Sequence, residues 1–532
     1  MLTDLQTIAK NTEFQSDICI IGAGVAGQTL AMRLAKSNVK VLLVESGGRD
    51  FKAKTQALAK GTNIGEDYYD LETTRLRLFG GTAAIWGGRC AELDPIDFIK
   101  RDYIPHSGWP FLKSELDPYY KTAFQSLGLK RPGEGRLWKI LDKTPPPFLS
   151  DRLESDWWCF DEDGERFTNT SRGNLDDVHT VLNATVTNLD LGEQGEIKSA
   201  KLTTIDGRHH SARAKVFVIA AGAVESVRLL MAAVIKRPKG LGNDHDQLGR
   251  YFMEHPHARG GRIIPYSLGQ SLSVLPRAIR VHGQRYAAYM RPSESLQMER
   301  GVLNTSLSFA PRRHADGQME LFRSVTGKLK HDLPSTKMWR GLYKSLKGAA
   351  IRGLEWTDPW LSVANMKLSR GKLGLYAVIR AEQAPNPDSR VTLAANKDSL
   401  GVPRAALDWR FSDLDKRSVK ELMSVLAEEY ERLNWGEVIP SEWLSDDESA
   451  WVSDPNISSH PIGGYHHMGG IRMGDDISTS VVDKNCKLHE SPNTYIAGSA
   501  VFPTSGWANP TVTIMALAER LGDHLCNKMV NN

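Results

Sequence analysis

Residues 463–474 read GGYHHMGGIRMG and set two histidines, His466 and His467, among glycines and methionines. A neutral imidazole has a free lone pair and an ordinary pKa near 6.5, so it can take up a proton near neutral pH. As metal ligands the two are poorly disposed, because adjacent residues on regular structure point apart and no third ligand stands out in the chain. A packed, hydrogen-bonded histidine is the other reading, and spacing alone leaves base and filler equally open. Further along, Asn509 and Pro510 precede Ile514, Leu517, Leu521 and Leu525 at helical spacing. Asn509 is a good N-cap and Pro510 fits the first helical position. The first-turn amides, near Val512 and Thr513, would carry partial positive charge outward.

Such residues need a scaffold, and DICIIGAGVAGQTLAMRLAKSNVKVLLVES, residues 17–46, is its most legible part. An apolar run over 17–21 predicts a buried strand, and Gly22, Gly24 and Gly27 complete G-x-G-x-x-G. The first glycine allows the tight turn, the second lets backbone approach a pyrophosphate, and the third lets helix pack on strand. Ala26, Leu30 and Leu34 give the following helix one apolar stripe. A second strand over 39–44 ends at Glu45, where an acid can bond a ribose hydroxyl. This order predicts a dinucleotide site, for NAD or FAD.

A second strand–glycine–helix unit, strand 216–220 followed by Gly222, belongs to the same layer. Segments 262–310 and 373–410 alternate apolar and polar residues and predict an antiparallel sheet for a substrate domain. The fold class expected is α/β: a doubly wound, Rossmann-like binding domain with an antiparallel-sheet substrate domain.

A chain of 532 residues is too long for one simple core. Its 41% hydrophobic and 24% charged residues are ordinary for a soluble globular protein, and a net charge of +4 implies no nucleic-acid partner. Five scattered cysteines without C-x-x-C read as reduced thiols in a cytoplasmic protein, and no zinc or other metal site is expected. The amino-terminal residues lack the pattern of a signal peptide, and no apolar run is long enough for a membrane span. Co-export with a partner chain is the alternative. Residues 312–372 hold thirteen basic against five acidic residues. Within them, 335–356 predicts an amphipathic helix that either packs on the substrate domain or makes peripheral contact with an anionic membrane surface; packing is the favoured reading.

GAGVAG with Glu45, GGTAAIWGG at 80–88, EQAPNPDSRVTL, HHMGGIRMG and SGWANPTVTIMALAERL together resemble the glucose-methanol-choline (GMC) oxidoreductases. The similarity spans nearly the whole chain. It favours the branch with pyranose oxidase and the large subunits of bacterial fructose, gluconate and sorbitol dehydrogenases, which GRYFMEHPH at 249–257 also resembles. The resemblance implies FAD and oxidation of an alcohol on a sugar, glycoside or polyol, with hydride passing to flavin N5. His466 matches the family's base and Asn509 its orienting partner. Gly22, Gly24, Gly27 and Glu45 would hold the ADP half. Gly80, Gly81, Thr82, Trp86, Val186, Gly222, Gly498, Pro510 and Thr511 would lie along the rest of the cofactor. Ile85 stands where some pyranose oxidases carry a flavin-linking histidine, so the FAD is expected to be non-covalent. His255 and His257 are expected to organise a loop, and Met468 and Met473 to pack.

A dehydrogenase is expected. The alternatives are an oxidase using O2 and a flavoprotein subunit relaying electrons to a cytochrome, quinone or membrane acceptor; a catalytically dead FAD-binding scaffold is disfavoured by His466 and Asn509. The division expected is 1–250 for the first part of the FAD-binding domain, 251–410 for the substrate-binding domain with its basic insert 312–372, and 411–532 for the remaining FAD-binding and catalytic part.

Overall fold

A computed structural model of the protein describes all residues except 132–135, 172, 233–236, 276–277, 315–359, 370, 446–449, 459 and 531–532. The expected amphipathic helix at 335–356 lies outside the described residues. Among those described, no helix is long and apolar enough to cross a membrane.

The strand Glu13–Ile21 and the helix Val25–Leu34 form where the glycine motif predicts them. The strand begins earlier than its apolar run because Glu13 to Ser16 pair in parallel with Ser211 to Ala214 of His209–Ile219. Val41–Val44 has four successive buried residues, as a strand covered on both faces requires. An eight-stranded sheet runs in the order Leu2–Asp4, His179–Leu182, Val41–Val44, Glu13–Ile21, His209–Ile219, Ile197–Thr203, Thr185–Leu191. Thr494–Ile496 pairs in parallel with the end of His209–Ile219. The first five strands are parallel; Ile197–Thr203 runs antiparallel to His209–Ile219, and Thr185–Leu191 runs antiparallel to Ile197–Thr203.

The last helix, Thr511–Val530, packs against both Val25–Leu34 and Lys113–Ser126. Arg33 pairs with Asp523 across the first of these contacts.

The second eight-stranded sheet is antiparallel throughout. Its order is Gly436–Pro440, His257–Pro265, Leu373–Arg380, Ser306–Arg313, Gln284–Pro292, Leu153–Phe160, Arg89–Cys90, with Ile279–Val281 beside Gln284–Pro292. Strands from distant parts of the chain thus meet in one layer. Trp158, Tyr289 and Trp507 pack against one another between this sheet and the start of the last helix, with the Tyr289 and Trp507 rings 4.1 Å apart. All five cysteines are free thiols, four of them buried.

Candidate active site

A cavity of about 560 Å³ opens between the turns of the first sheet and the face of the second. Gly22, Gly24 and Glu45 line one part of it, and Gly80, Gly81, Thr82, Ile85 and Trp86 another. Val186, Gly222, Gly498, Pro510 and Thr511 line it too, as do His466 and Asn509. Gly27 lies behind the wall, where an added Cβ would sit 1.9 Å from the Gly22 carbonyl oxygen. Its place is in helix–strand packing. Glu45 is buried, and its two carboxylate oxygens already accept the backbone N–H groups of Ala23 and Gly47 at 2.9 and 2.8 Å. Burial pushes its pKa up.

The cavity fits a dinucleotide. A Cβ built on Gly24, Gly87 or Gly222 meets nothing within 4 Å, so these glycines leave open space against bare backbone. Gly24 also immediately precedes the helix Val25–Leu34, whose free amides favour phosphate.

Both histidines reach the cavity wall, but their partners differ. His467 is the more buried, and its Nε2 lies 2.9 Å from the Tyr68 hydroxyl. His466 is half-buried and faces the cavity. Its Nε2 lies 3.1 Å from Nδ2 of Asn509, and its Nδ1 lies 2.9 Å from Nδ1 of His255. His255 Nε2 is in turn 2.8 Å from the Gly506 carbonyl oxygen.

This chain of contacts fixes every hydrogen in it. A carbonyl can only accept, so His255 Nε2 carries a hydrogen. Burial pushes the His255 pKa down to about 4, so at neutral pH the ring is neutral and its Nδ1 holds a lone pair. His466 Nδ1 must then donate, which leaves the His466 lone pair on Nε2. Asn509 donates to that lone pair from Nδ2. Burial, with His255 and other histidines nearby, also holds His466 well below the ordinary imidazole range. It is therefore neutral and able to accept a proton at Nε2.

Glu254 brackets the two rings. Its Oε1 accepts the backbone N–H of His255 and of His466, each at 2.8 Å, and its Oε2 accepts the Tyr68 hydroxyl at 2.6 Å. Burial pushes Glu254 up to about 7. The surrounding glycines make room for this arrangement. A Cβ on Gly464 would meet the His466 ring at 2.5 Å, and one on Gly463 would meet the Glu254 side chain at the same distance. Bridges Met253↔Met468 and Pro256↔Gly463 hold the two segments side by side.

Two readings are refined. Asn509 offered itself both as an N-cap and as the partner of His466; the helix starts at Thr511, one residue beyond Pro510, and the Asn509 amide contacts His466. His255 was expected only to organise a loop, yet it touches His466 directly. His257 opens the strand His257–Pro265 and bonds the His460 carbonyl at 2.6 Å. Met468 and Met473 are buried packing residues. Sequence reasoning missed Tyr68, Glu254 and the role of His255; the signal was an acid and two histidines, MEHPH, leading into a strand.

Comparison with known proteins supplies a family. A model described as GMC oxidoreductase matches residues 385–518, and one described as FAD dependent oxidoreductase matches 17–260. Paromamine 6'-oxidase of Streptomyces fradiae is 24% identical over 97% of this chain and 92% of its own length. The fructose dehydrogenase large subunit of Gluconobacter japonicus is 23% identical over 98% and 99%. A solved structure of pyridoxine 4-oxidase from Mesorbium loti shares the fold with a TM-score of 0.54, at 15% identity over 96% of this chain and 98% of its own.

Proposed function

Because this chain is an FAD-dependent oxidoreductase of the GMC family acting on CH–OH groups, we propose that it oxidises an alcohol carbon of a sugar, glycoside or polyol with His466 as base. FAD, when bound, supplies the acceptor for the hydride that leaves the carbon. Gly22, Gly24 and Gly222 would hold its phosphate-bearing half, Gly80 to Trp86 and Gly498 the remainder. With Ile85 in the wall, no histidine stands at that position to attach it.

The chain's own residues do the rest. The substrate hydroxyl enters between Asn509 and His466 and replaces their direct contact: the Asn509 amide then donates to its oxygen, and its proton points at the His466 Nε2 lone pair so freed. As the carbon–hydrogen bond weakens, that hydroxyl becomes far more acidic, so a weakly basic imidazole suffices. The resulting imidazolium keeps its Nδ1–H on His255. The amides at the start of Thr511–Val530 lie along the same wall and favour negative charge there.

The observation that carries this reading is the 3.1 Å contact between Asn509 Nδ2 and His466 Nε2 on the cavity wall. Anaerobic mixing of the yellow protein with sugars, glycosides and polyols tests it. Bleaching by at least one, lost in His466→Ala with the colour retained, is the expected result. Undiminished bleaching in that variant would move the base elsewhere. The proposal extends to a dehydrogenase, like the relative named as a fructose dehydrogenase large subunit, with electrons leaving to a quinone or cytochrome acceptor and not to O2. Peroxide yield measured against dye reduction tests that part.

A further inference from the structure

Charge along the cavity wall is unevenly matched. On the side of the first sheet, Arg75, Arg77 and Arg228 share Glu225, and Arg228 also pairs with Asp398. On the side of the second sheet, Arg89 and Arg380 line the same cavity, and no carboxylate among the described residues pairs with either. The Arg89 guanidinium lies 4.4 Å from the centre of the Trp158 ring, and its Nε is buried without a hydrogen-bond partner. The Arg380 guanidinium lies 5.3 Å from the centre of the same ring, with one donor on Ser308 Oγ at 3.1 Å. Burial lowers the pKa of both, and the charges acting on Arg89 are the repulsive ones of Arg380 and Arg285.

These cations stand at the histidine end. Arg380 is the register partner of His257 across the sheet. Its charge lowers the His257 pKa, and the charge of His257 acts in turn on His466. Two guanidinium groups brought close together, largely out of water and facing open space are costly to hold without an anion. Each presents a planar fork of N–H donors matched to a carboxylate or phosphate.

We propose that Arg89 and Arg380 form an oxyanion-binding subsite beside His466, so that the alcohol oxidised here carries a carboxylate or phosphate group. The proposal rests on the reading of this cavity as an alcohol-oxidising site. It narrows the substrate from sugars in general to anionic ones: uronates and aldonates, or sugar phosphates. A substrate bearing ammonium groups meets repulsion, and a neutral one leaves the two forks unfilled.

The test uses the FAD-loaded full chain and three matched substrates: a methyl glycoside, the corresponding uronate and the corresponding 6-phosphate. Anaerobic bleaching gives kcat/KM for each. The uronate or the phosphate is expected to exceed the neutral glycoside by about 10-fold or more, and the better of the two identifies the anion. Arg89→Gln combined with Arg380→Gln is expected to lower the anionic-to-neutral ratio by about 10²-fold. The paired lysine variants should restore part of it, which separates charge from misfolding. Equilibrium titration with inorganic phosphate and acetate, followed by flavin absorbance, gives a readout without turnover. Arginine-dependent anion binding without bleaching by any alcohol would refute the oxidation reading and keep the subsite. A ratio that the glutamine variants leave unchanged overturns the subsite and keeps the oxidation. Weakened FAD retention in those variants, with the ratio unchanged once they are reloaded with excess FAD, would assign the arginines to the cofactor, which also overturns it.

Discussion

Nδ1 of His255 lies 2.9 Å from Nδ1 of His466, and the Gly506 carbonyl decides which of the two carries the hydrogen. His255 therefore acts through His466 as a positioning residue. His255→Phe removes the acceptor and frees the His466 ring to place its hydrogen on either nitrogen. Flavin reduction should fall by about 10- to 10²-fold with FAD retained. His255→Asn, whose Oδ1 can accept, should recover much of the rate. Equal losses in both variants would mean that the ring matters only as packing.

His466 and Asn509 touch, so their effects should not multiply. His466→Ala is expected to slow anaerobic flavin reduction by about 10²-fold or more, and Asn509→Ala by about 10-fold. The double variant should lie close to His466→Ala alone. A double variant slower by the full product of the two would show independent tasks.

Two neighbouring glycines should fail in different ways. A side chain at Gly24 projects into open cavity, so Gly24→Val should fold normally and purify colourless. At Gly27 a Cβ collides with the Gly22 carbonyl, so Gly27→Ala should destabilise the protein itself by about 1–3 kcal/mol. Thermal melts of the cofactor-free proteins distinguish them. A Gly24→Val variant that retains FAD would remove the cradle from the argument.

Glu254 sets a pH signature. Its pKa rises from 4.5 to about 7 on folding, so the folded state holds its proton more tightly. Its contribution is complete below pH 4.5 and disappears as pH rises through 7. His255 and His467, pushed down to about 4 and 3, act in the opposite sense: they support the fold above pH 6.5 and withdraw that support as acid is added. Comparing wild type with Glu254→Gln cancels the histidine contribution. Between about pH 5 and 8 the wild type should lose about 2.5 kcal/mol relative to the variant. A difference independent of pH would place the ionisation elsewhere.

What was readable in advance follows from how each contact is encoded. The glycine turn, the helix after it and the strand ending at Glu45 are local, so spacing carries them. His466 and Asn509 stand out through family motifs. His255 is 211 residues from His466 in the chain, and their meeting depends on the Met253↔Met468 bridge, which no periodicity reveals. Tyr68, Glu254, Arg89 and Arg380 were hidden for the same reason, since each owes its place to a neighbour far off in sequence. Asn509 was ambiguous locally: Asn-Pro before an apolar stripe has the form of a cap, but a nearby imidazole competes for the same amide.

Thr494–Ile496 completes the sheet begun by Glu13–Ile21, and Thr511–Val530 lies on Val25–Leu34. A nascent chain on the ribosome thus exposes its nucleotide turn early and must wait for nearly its whole length to emerge before that turn gains its far wall. Translation halted before residue 494 leaves a cradle open to water on one side and lacking Asn509. Yellow colour in freshly made protein thereby reports that synthesis ran past that point.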